Sequence, residues 1–477
     1  MRLPIKFADN SVAARSKKST LESLVNMYPE AAPDGAVNQV TLYQCSGSTE
    51  FVTLPDNATV HALHVLDNLL YAITTTHLYR IAENGTVTLI GTFSGAGLTD
   101  RVSVADNGIT MVFVDSVRAF KYDTTNGLIE FTSQTGMYRS NTVTFQDGYF
   151  IFNRTGTGQF FITALYDTTT DPLDFATAES SPDDTVAVIS FANQLWLFGT
   201  KTIEIWYNSG NALFPFERIS GAVIARGCSA SYSVAKGVNA LAFIGDDNIV
   251  YAVSPGTFVP QRISSYSQEA NISSETGAYA FTFAEFGHEF YMLHLPNSDK
   301  TWCYDMTNGM WHERRSPRLS EFDLALEVDR HLSNCYTLAY GKKMIGNRSE
   351  NGKIFFLDST STLDNGLTTR REAISAPVTK DQTFLKCSLF ELLAEINITT
   401  NQNPQCILYW TDDFVSWSDG VQLPLGKIGE RKKRIIARRL GRFRQRTFRI
   451  VITDDVSVII LGAFVEGDVW LHNLQYL

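Results

Sequence analysis

The chain has 477 residues, of which 19% are charged and 12% are aromatic, with 32 glycines and 14 prolines. This composition excludes a disordered protein, a coiled coil and a collagen-like fibre. With 40 Lys and Arg against 50 Asp and Glu the net charge is −10, which is unlike a protein that binds nucleic acid over its whole surface.

Residues 1–40 are predicted to form an N-terminal arm, because the segment is polar and irregular. Its opening residues are basic but are followed by no apolar stretch, so we expect no secretory signal. The segment TLESLVNMY (residues 20–28) is one of two helix candidates in the chain, and the other lies within SEFDLALEVD (residues 320–329).

From residue 41 to residue 376 one pattern recurs: a turn pair, an apolar strand rich in aromatic residues, a short polar break and a second strand. Successive turns lie between 39 residues (Asn68 to Asn107) and 54 residues (Gly287 to Gly341) apart. A period of roughly 40 to 50 residues with about four short strands per unit is typical of β-propeller blades. The turns begin at Asn68, Asn107, Asp147, Asn193, Asn239, Gly287 and Gly341.

A single four-stranded blade exposes apolar residues on both faces, and only neighbouring blades can cover them. The alternation of Thr202, Glu204 and Trp206 with the intervening apolar residues fits such a strand. Asn-Gly, Asp-Gly and Asp-Asn pairs suit tight hairpin turns because they tolerate positive φ. We therefore predict an all-β protein whose residues 41–376 form a six- or seven-bladed β-propeller.

After residue 376 the repeat ends and longer strands follow, such as LKCSLFELLAEINI, QCILYWTDD and VSVIILGAFVE. These strands predict a separate antiparallel, sandwich-like β-domain over residues 377–477 that packs against the propeller. The longest apolar stretch, Val458 to Val465, is far shorter than a membrane span, so no membrane insertion is predicted.

Basic residues concentrate between Lys427 and Arg449, where eleven of them face one acidic residue, Glu430. Alternation along a strand would place Arg442, Arg444 and Arg446 on one face. Three interpretations stay open: a charged edge strand that resists pairing, a contact with the acidic remainder of a neighbouring copy, or contact with a DNA backbone. The predicted subunit or DNA contacts are Arg431, Lys432, Lys433, Arg434, Arg438, Arg439, Arg442, Arg444 and Arg446.

Motifs for chemistry are missing from the sequence. It has no nucleophile elbow, phosphate loop, HExxH or paired-cysteine motif, so no catalytic residue, cofactor or metal is predicted. His61 and His64 have a spacing that suits a metal only on a helix, and their surroundings alternate like a strand. A glycan-binding or glycosidase propeller remains the alternative, because a pair of catalytic carboxylates needs no contiguous motif.

Several stretches resemble a known family. They are SLVNMYPE (Ser23 to Glu30), GTFSGAGLTDRVSVADNG, FERISGAVIARGCSASYSVA, GKIGERKKR (Gly426 to Arg434) and Arg439–Leu440–Gly441. Together they resemble the packaged-DNA-stabilising protein of short-tailed bacteriophages, also called the tail hub or nozzle, over essentially the whole chain. Two turns depart from the family pattern: Cys45–Ser46–Gly47 stands where the family usually has Pro-Gly after its first strand, and Phe414–Val415 stands where Gly-Gly usually precedes the tryptophan.

The resemblance implies a structural virion protein and no enzyme. It implies a homo-hexameric ring below the portal and adaptor proteins that continues the DNA channel and helps to retain the packaged genome until ejection. It also implies anchoring of tail fibres or spikes and of a needle protein, non-specific contact with packaged DNA, and assembly in the host cytoplasm. Closed rings require head-to-tail interfaces. The uneven distribution of charge suits such an interface, because the basic strip of one subunit could meet an acidic surface of the next.

Overall fold

A computed structural model describes residues 2–8, 10–11, 14–16, 20–31, 40–95, 97–98, 101–272, 275–319, 326–381, 383–398, 403–430 and 433–469. Within these ranges the chain is almost entirely β-structure, which confirms the predicted all-β class. The described residues contain one α-helix, α1 (Tyr266–Ile272), and one short 3-10 helix (Ser231–Ser233). None of the described helices is long and apolar enough to cross a membrane.

Four strands precede the repeats, so the described part of residues 1–40 is less irregular than its composition indicates, while the N-terminal arm over residues 1–40 stays a prediction. The helix expected from TLESLVNMY is wrong, because pairing with distant strands overrides local propensity. Leu24 and Met27 are buried in the C-terminal core, and Asn26 between them has a φ of 53° that no helix accommodates. The strands are β1 (Arg2–Ile5), β2 (Ser23–Val25), β3 (Met27–Ala31) and β4 (Val40–Gln44).

The repeats form four-stranded antiparallel units, which confirms the predicted β-propeller. Five of the units are separate sheets: β6–β9, β10–β13, β14–β17, β18–β21 and β22–β25. After β5 (Gly47–Thr53), the first three of these sheets contain β6 (Val60–Leu66), β7 (Leu69–Thr74), β8 (His77–Ile81), β9 (Val87–Thr92), β10 (Ser103–Asp106), β11 (Met111–Val114), β12 (Ala119–Asp123), β13 (Gly127–Glu130), β14 (Val143–Gln146), β15 (Tyr149–Asn153), β16 (Gln159–Thr163) and β17 (Thr170–Thr177). They are followed by β18 (Thr185–Phe191), β19 (Gln194–Gly199), β20 (Ile203–Asn208), β21 (Phe216–Ile224), β22 (Ala235–Lys236), β23 (Leu241–Ile244), β24 (Val250–Val253) and β25 (Gln261–Arg262).

Two further units belong to larger sheets. One is the meander β26–β29, and the other is β32–β34 completed by β5, which pairs antiparallel with β34 from Lys353↔Thr53 to Asp358↔Gly47. The strand that precedes the first repeat thus closes the last unit. Their strands are β26 (Tyr279–Glu285), β27 (His288–Leu295), β28 (Lys300–Asp305), β29 (Met310–Glu313), β32 (Ser333–Ala339), β33 (Lys342–Asn347) and β34 (Lys353–Asp358). Between the two units, β30 (Arg315–Leu319) and β31 (Leu326–Arg330) form a separate two-stranded sheet.

Each turn residue predicted from the sequence lies between the first two strands of a unit. Asn68 and Asn193 have φ of 57° and 60°, and Gly287 has φ of 83°, in the left-handed region that tight hairpins require. Apolar side chains cover the faces between adjacent units. For example, the ring of Tyr71 packs against the ring of Tyr122 from the next blade, with 5.3 Å between the ring centres. Turn residues that accept positive φ therefore form the hairpins of each blade, and apolar side chains buried between neighbouring blades hold the blades together.

The C-terminal strands form the predicted sandwich. One sheet has the order β3-β4-β45-β39-β42, and the other contains β37-β44-β40-β41. Phe390 and Phe448 contribute rings from the two sheets, 5.3 Å apart, to their common core. The hairpin of β35 (Leu363–Asp364) and β36 (Leu367–Thr368) extends the last propeller sheet beside β5. The strands that follow are β37 (Arg371–Ile374), β38 (Val378–Thr379), β39 (Leu385–Asn397), β40 (Gln405–Thr411), β41 (Val421–Pro424), β42 (Ile435–Arg438), β43 (Arg442–Phe443), β44 (Gln445–Ile452) and β45 (Ser457–Val469).

One sheet runs without a break from the propeller into the sandwich. Strand β2 pairs parallel with β29 of a blade (Val25↔Glu313) and antiparallel with β37 of the sandwich (Val25↔Glu372). Asn26 continues this connection, because its side-chain amide donates to the carbonyls of Arg315 and Arg370 at 2.9 and 2.8 Å. The boundaries at residues 40 and 376 stay a prediction, although strand pairing joins the first strands to the C-terminal sandwich.

The turn at Phe414 keeps the backbone shape of a glycine turn. Phe414 has a φ of 64° and is buried, and its backbone NH donates to Thr411 Oγ1 at 2.9 Å. The Asp413 carboxylate accepts the backbone NH groups of Val415 and Ser416 at 2.9 and 2.8 Å, and these hydrogen bonds hold the pKa of Asp413 well below its usual range. A network of local hydrogen bonds therefore offsets the cost of the left-handed conformation at a bulky residue.

Candidate contact surface

The basic segment is divided between the two sandwich sheets. Its strand β42 stands last in the order β3-β4-β45-β39-β42 and, among the described strands, pairs with β39 alone, from Leu389↔Arg438 to Leu392↔Ile435. Its last residues belong to β44, which lies inside the other sheet between β37 and β40. The short strand β43 pairs with the beginning of β39, where Lys386 lies opposite Arg442. Like charges directly opposite each other destabilise a strand pair, so this edge concentrates positive charge at a cost in stability.

Four of the basic side chains form ion pairs with carboxylates of the described chain. Arg434 binds both oxygens of the buried Glu391 at 2.7 and 3.1 Å, and these hydrogen bonds lower the pKa of that carboxyl group. The side chain of Arg449 donates to Glu372 at 2.9 Å. A weaker ion pair joins Lys433 to Glu430 at 3.5 Å. Each of these three basic side chains is therefore paired with a neighbouring glutamate.

Arg446 is the fourth of these and the most deeply buried, at 3% exposure. Its guanidinium binds both oxygens of Asp412 at 2.6 and 2.8 Å and also donates to the Leu440 carbonyl. The expectation that Arg442, Arg444 and Arg446 share one face is wrong, because the strand breaks at Arg444, between β43 and β44. The first two side chains are exposed and the third points into the sandwich.

Four further arginines of the segment are exposed, and we call them the basic edge: Arg438, Arg439, Arg442 and Arg444. The guanidinium groups of Arg442 and Arg444 lie over the ring of Phe384, at 5.5 and 4.4 Å from its centre. Among the residues that the structure describes, no carboxylate lies within ion-pair distance of Arg438 or Arg439. Arg431 and Lys432 lie outside the described residues, and the contact role of the whole predicted set stays a prediction.

Sequence reasoning missed a second surface, on the outer side of one blade. We call residues 165–174 the acidic loop, which connects β16 to β17 and includes the first part of β17. Tyr166 and Leu173 are 71% and 82% exposed, and the loop carries three aspartates and no basic residue. Burial and the neighbouring Asp171 raise the pKa of the Asp174 carboxyl. Pro172, which lies within β17, could have indicated this surface from the sequence, since proline in a strand indicates the outer edge of a sheet.

The axis of the propeller holds a cavity of about 300 Å³. The Arg101 guanidinium reaches across it, donates to the Asn334 carbonyl at 3.0 Å and lies over the ring of Tyr279. His61 and His64 also line it, bound to Thr75 and Asp106, and both belong to strand β6, as predicted. The described lining contains no carboxylate, whereas a glycosidase requires two. In the described part of the chain no group of three His, Cys, Asp or Glu residues could hold a metal ion.

Two family models match the chain. The model described as "Bacteriophage P22 Gp10, beta-propeller" matches residues 1–362, and the one described as "Bacteriophage P22 Gp10, beta-sandwich" matches residues 371–468. No curated protein matches the sequence.

Solved structures similar to this chain include WD40 propellers. The WD40 propeller domain of Doa1 is 15% identical, with a TM-score of 0.39, and covers 66% of this chain and 96% of its own. The Neurospora crassa Pan2 WD40 domain is 8% identical, with a TM-score of 0.42 and the same coverage of both chains.

Proposed function

Because this chain belongs to the bacteriophage P22 Gp10 family of phage-tail structural proteins, we propose that copies of it close into a ring that continues the DNA channel of the tail. The match to both the propeller and the sandwich of that family carries the proposal. In the virion the ring is a homo-hexamer below the portal and adaptor proteins. It helps to retain the packaged DNA, and it anchors tail fibres or spikes and the needle.

A closed ring needs two different surfaces that fit each other, because its interfaces are head-to-tail. The basic edge and the acidic loop are such a pair: one is positive and lies on the sandwich, and the other is negative and partly apolar and lies on the propeller. Exposed apolar side chains such as Leu173 supply the buried contact area that charge alone does not. We propose that the basic edge of one copy contacts the acidic loop of the next.

Packaged DNA is the second partner that we propose for the basic edge. A phosphate backbone requires positive charge and no reading of sequence, and the lumen of such a ring faces the DNA. The exposure of Arg438 and Arg439, with no carboxylate near them in the described chain, supports a contact outside the subunit over a role limited to protecting the sheet edge.

The experiment reverses charge at the basic edge. We expect the wild-type protein to sediment as a species near six times the 53.2 kDa chain mass. The triple variant Arg438→Glu, Arg439→Glu, Arg442→Glu is expected to sediment as the single chain, because each new carboxylate repels the acidic loop. Unchanged sedimentation of the triple variant would refute the interface.

A matched control carries the same change of charge on the propeller. Arg139, Lys201 and Lys236 are exposed basic residues of the blades, and their replacement by Glu is expected to leave the large species intact. Circular dichroism of both triple variants should show the β-structure of the wild type. If the control also falls apart, net charge and not the basic edge governs assembly.

A further inference from the structure

A second polar cavity, of about 340 Å³, lies where the propeller meets the sandwich. Its walls come from neighbouring strands of the continuous sheet: β29, β2, β37 and β44. The residues that line it and matter here are Val25, Glu313, Arg315, Arg370, Glu372 and Arg449. Its volume would hold roughly ten water molecules, so the cavity has room for a hydrated anion.

The strand register sets two carboxylates side by side in this cavity. Val25 is the register partner of Glu313 on one side and of Glu372 on the other. Register partners on adjacent strands share a face of the sheet and lie about 5 Å apart. The two glutamates therefore flank Val25 on the same face, one from the propeller and one from the sandwich.

Four cations surround these two carboxylates. Arg315 and Lys300 both bind Glu313 Oε1, at 2.7 and 2.8 Å. At the second carboxylate, Glu372 Oε2 accepts from Arg370 Nη2 at 2.8 Å and from Arg449 Nη2 at 2.9 Å. The cluster therefore carries an excess of two positive charges, in a place where the arginine side chains are only 21% to 32% exposed.

Many donors of these arginines remain unused. Arg315 donates only through Nε, so both of its terminal amino groups have no acceptor within the described chain. Arg449 Nε is buried and has no hydrogen-bond partner among the described residues. A buried donor without an acceptor costs about 1–3 kcal/mol, and an oxyanion in the cavity would supply acceptors for the free donors of Arg315.

From this geometry we propose that the cavity is a phosphate-binding site. Planar guanidinium groups with paired free donors match the oxygen geometry of phosphate, and the excess charge of the cluster equals that of a dianionic phosphate. The ligand is either free inorganic phosphate or a phosphodiester of a DNA backbone. This site does not depend on the proposed ring, since a single chain supplies every residue in it.

The test uses the full-length protein and inorganic phosphate as the probe, with calorimetric titration at constant ionic strength. The double variant Arg315→Gln, Arg370→Gln keeps both carboxylates paired, through Lys300 and Arg449, and should therefore fold. We expect it to bind phosphate about tenfold more weakly or worse, because it loses charged hydrogen bonds. The control Arg218→Gln removes an arginine that pairs with the buried Glu204 on a blade, and it should bind phosphate as the wild type does.

A variant with the opposite expected effect separates binding from mere structural support. Glu313→Gln raises the excess charge of the cluster by one, so phosphate should bind more tightly, whereas loss of a purely structural contact would not strengthen it. Competition by short duplex DNA assigns the ligand to a DNA backbone, and failure to compete assigns it to free phosphate. Absence of phosphate binding by the wild type, or equal binding by the double variant, overturns the proposal.

Discussion

The side chain of Asn26 ties the propeller to the sandwich, and its replacement by alanine should destabilise both. Its amide nitrogen donates to the carbonyls of Arg315 and Arg370, and its amide oxygen accepts the Arg315 backbone NH at 2.9 Å. Asn26 is 4% exposed, so water does not readily replace these bonds. Its φ of 53° is also a conformation that alanine adopts less easily than asparagine.

The expected magnitude follows from these contacts. Each of the three lost hydrogen bonds should cost about 1 kcal/mol, and more where a buried partner stays unpaired. The left-handed backbone should add about 1 kcal/mol. We therefore expect Asn26→Ala to lower the free energy of unfolding by about 4 kcal/mol, measured from the midpoint of urea unfolding followed by tryptophan fluorescence.

Asn68→Ala is the matched control. Asn68 has a similar φ of 57° but lies exposed in a hairpin turn and makes no side-chain hydrogen bond within the described residues. Its replacement should cost only the backbone term, about 1 kcal/mol. Asn26→Gly removes that term and should retain a loss of about 3 kcal/mol. Equal effects of Asn26→Ala and Asn68→Ala would refute the coupling role of the Asn26 side chain.

Three further outcomes are expected. Arg446→Ala should lower the free energy of unfolding in urea by about 2–3 kcal/mol, because it leaves Asp412 and a buried carbonyl unpaired. The control Arg444→Ala should change the free energy of unfolding by less than about 0.5 kcal/mol. Equal effects of the two substitutions would contradict the burial of Arg446. The free energy of unfolding should fall as the pH drops below about 4.3, since Arg434 holds the pKa of Glu391 low and the unfolded state then binds more protons. The variant Glu391→Gln should lose less stability over the same pH range. An unchanged dependence of stability on pH would argue against the Arg434–Glu391 ion pair. All six cysteines are free and four are buried, so a thiol-reactive dye should label the native protein slowly and the urea-unfolded protein fully; rapid native labelling would contradict this burial.

The propeller could be predicted from the sequence because its signals are local. Each blade opens with a turn whose residues tolerate positive φ, such as Asn68 and Asn193, and each strand alternates over a few positions. The pairing of the strands within the first 44 residues could not be predicted in this way. Val25 pairs with Glu313, and Leu42 pairs with Ile460, so the partners that make these segments strands lie hundreds of residues away.

The concentration of basic residues was visible in the sequence, but the sequence did not show which of these residues are exposed and which are buried. Arg444 and Arg446 are two residues apart, yet the first is exposed and the second is buried against Asp412. The break between β43 and β44 decides this difference, and it depends on which strands pair with each segment. The acidic loop was missed because exposure of Leu173 is a property of the assembled blade.

Zero-length cross-linking of a ring assembled from light- and heavy-isotope chains tests the head-to-tail contact most directly. Lys386 is exposed beside the basic edge, opposite Arg442, and can form an amide with a carboxylate that touches it. We predict cross-links from Lys386 to the aspartates of the acidic loop that join a light chain to a heavy one. Cross-links from Lys386 only to carboxylates of its own chain would contradict the proposed contact between the basic edge and the acidic loop.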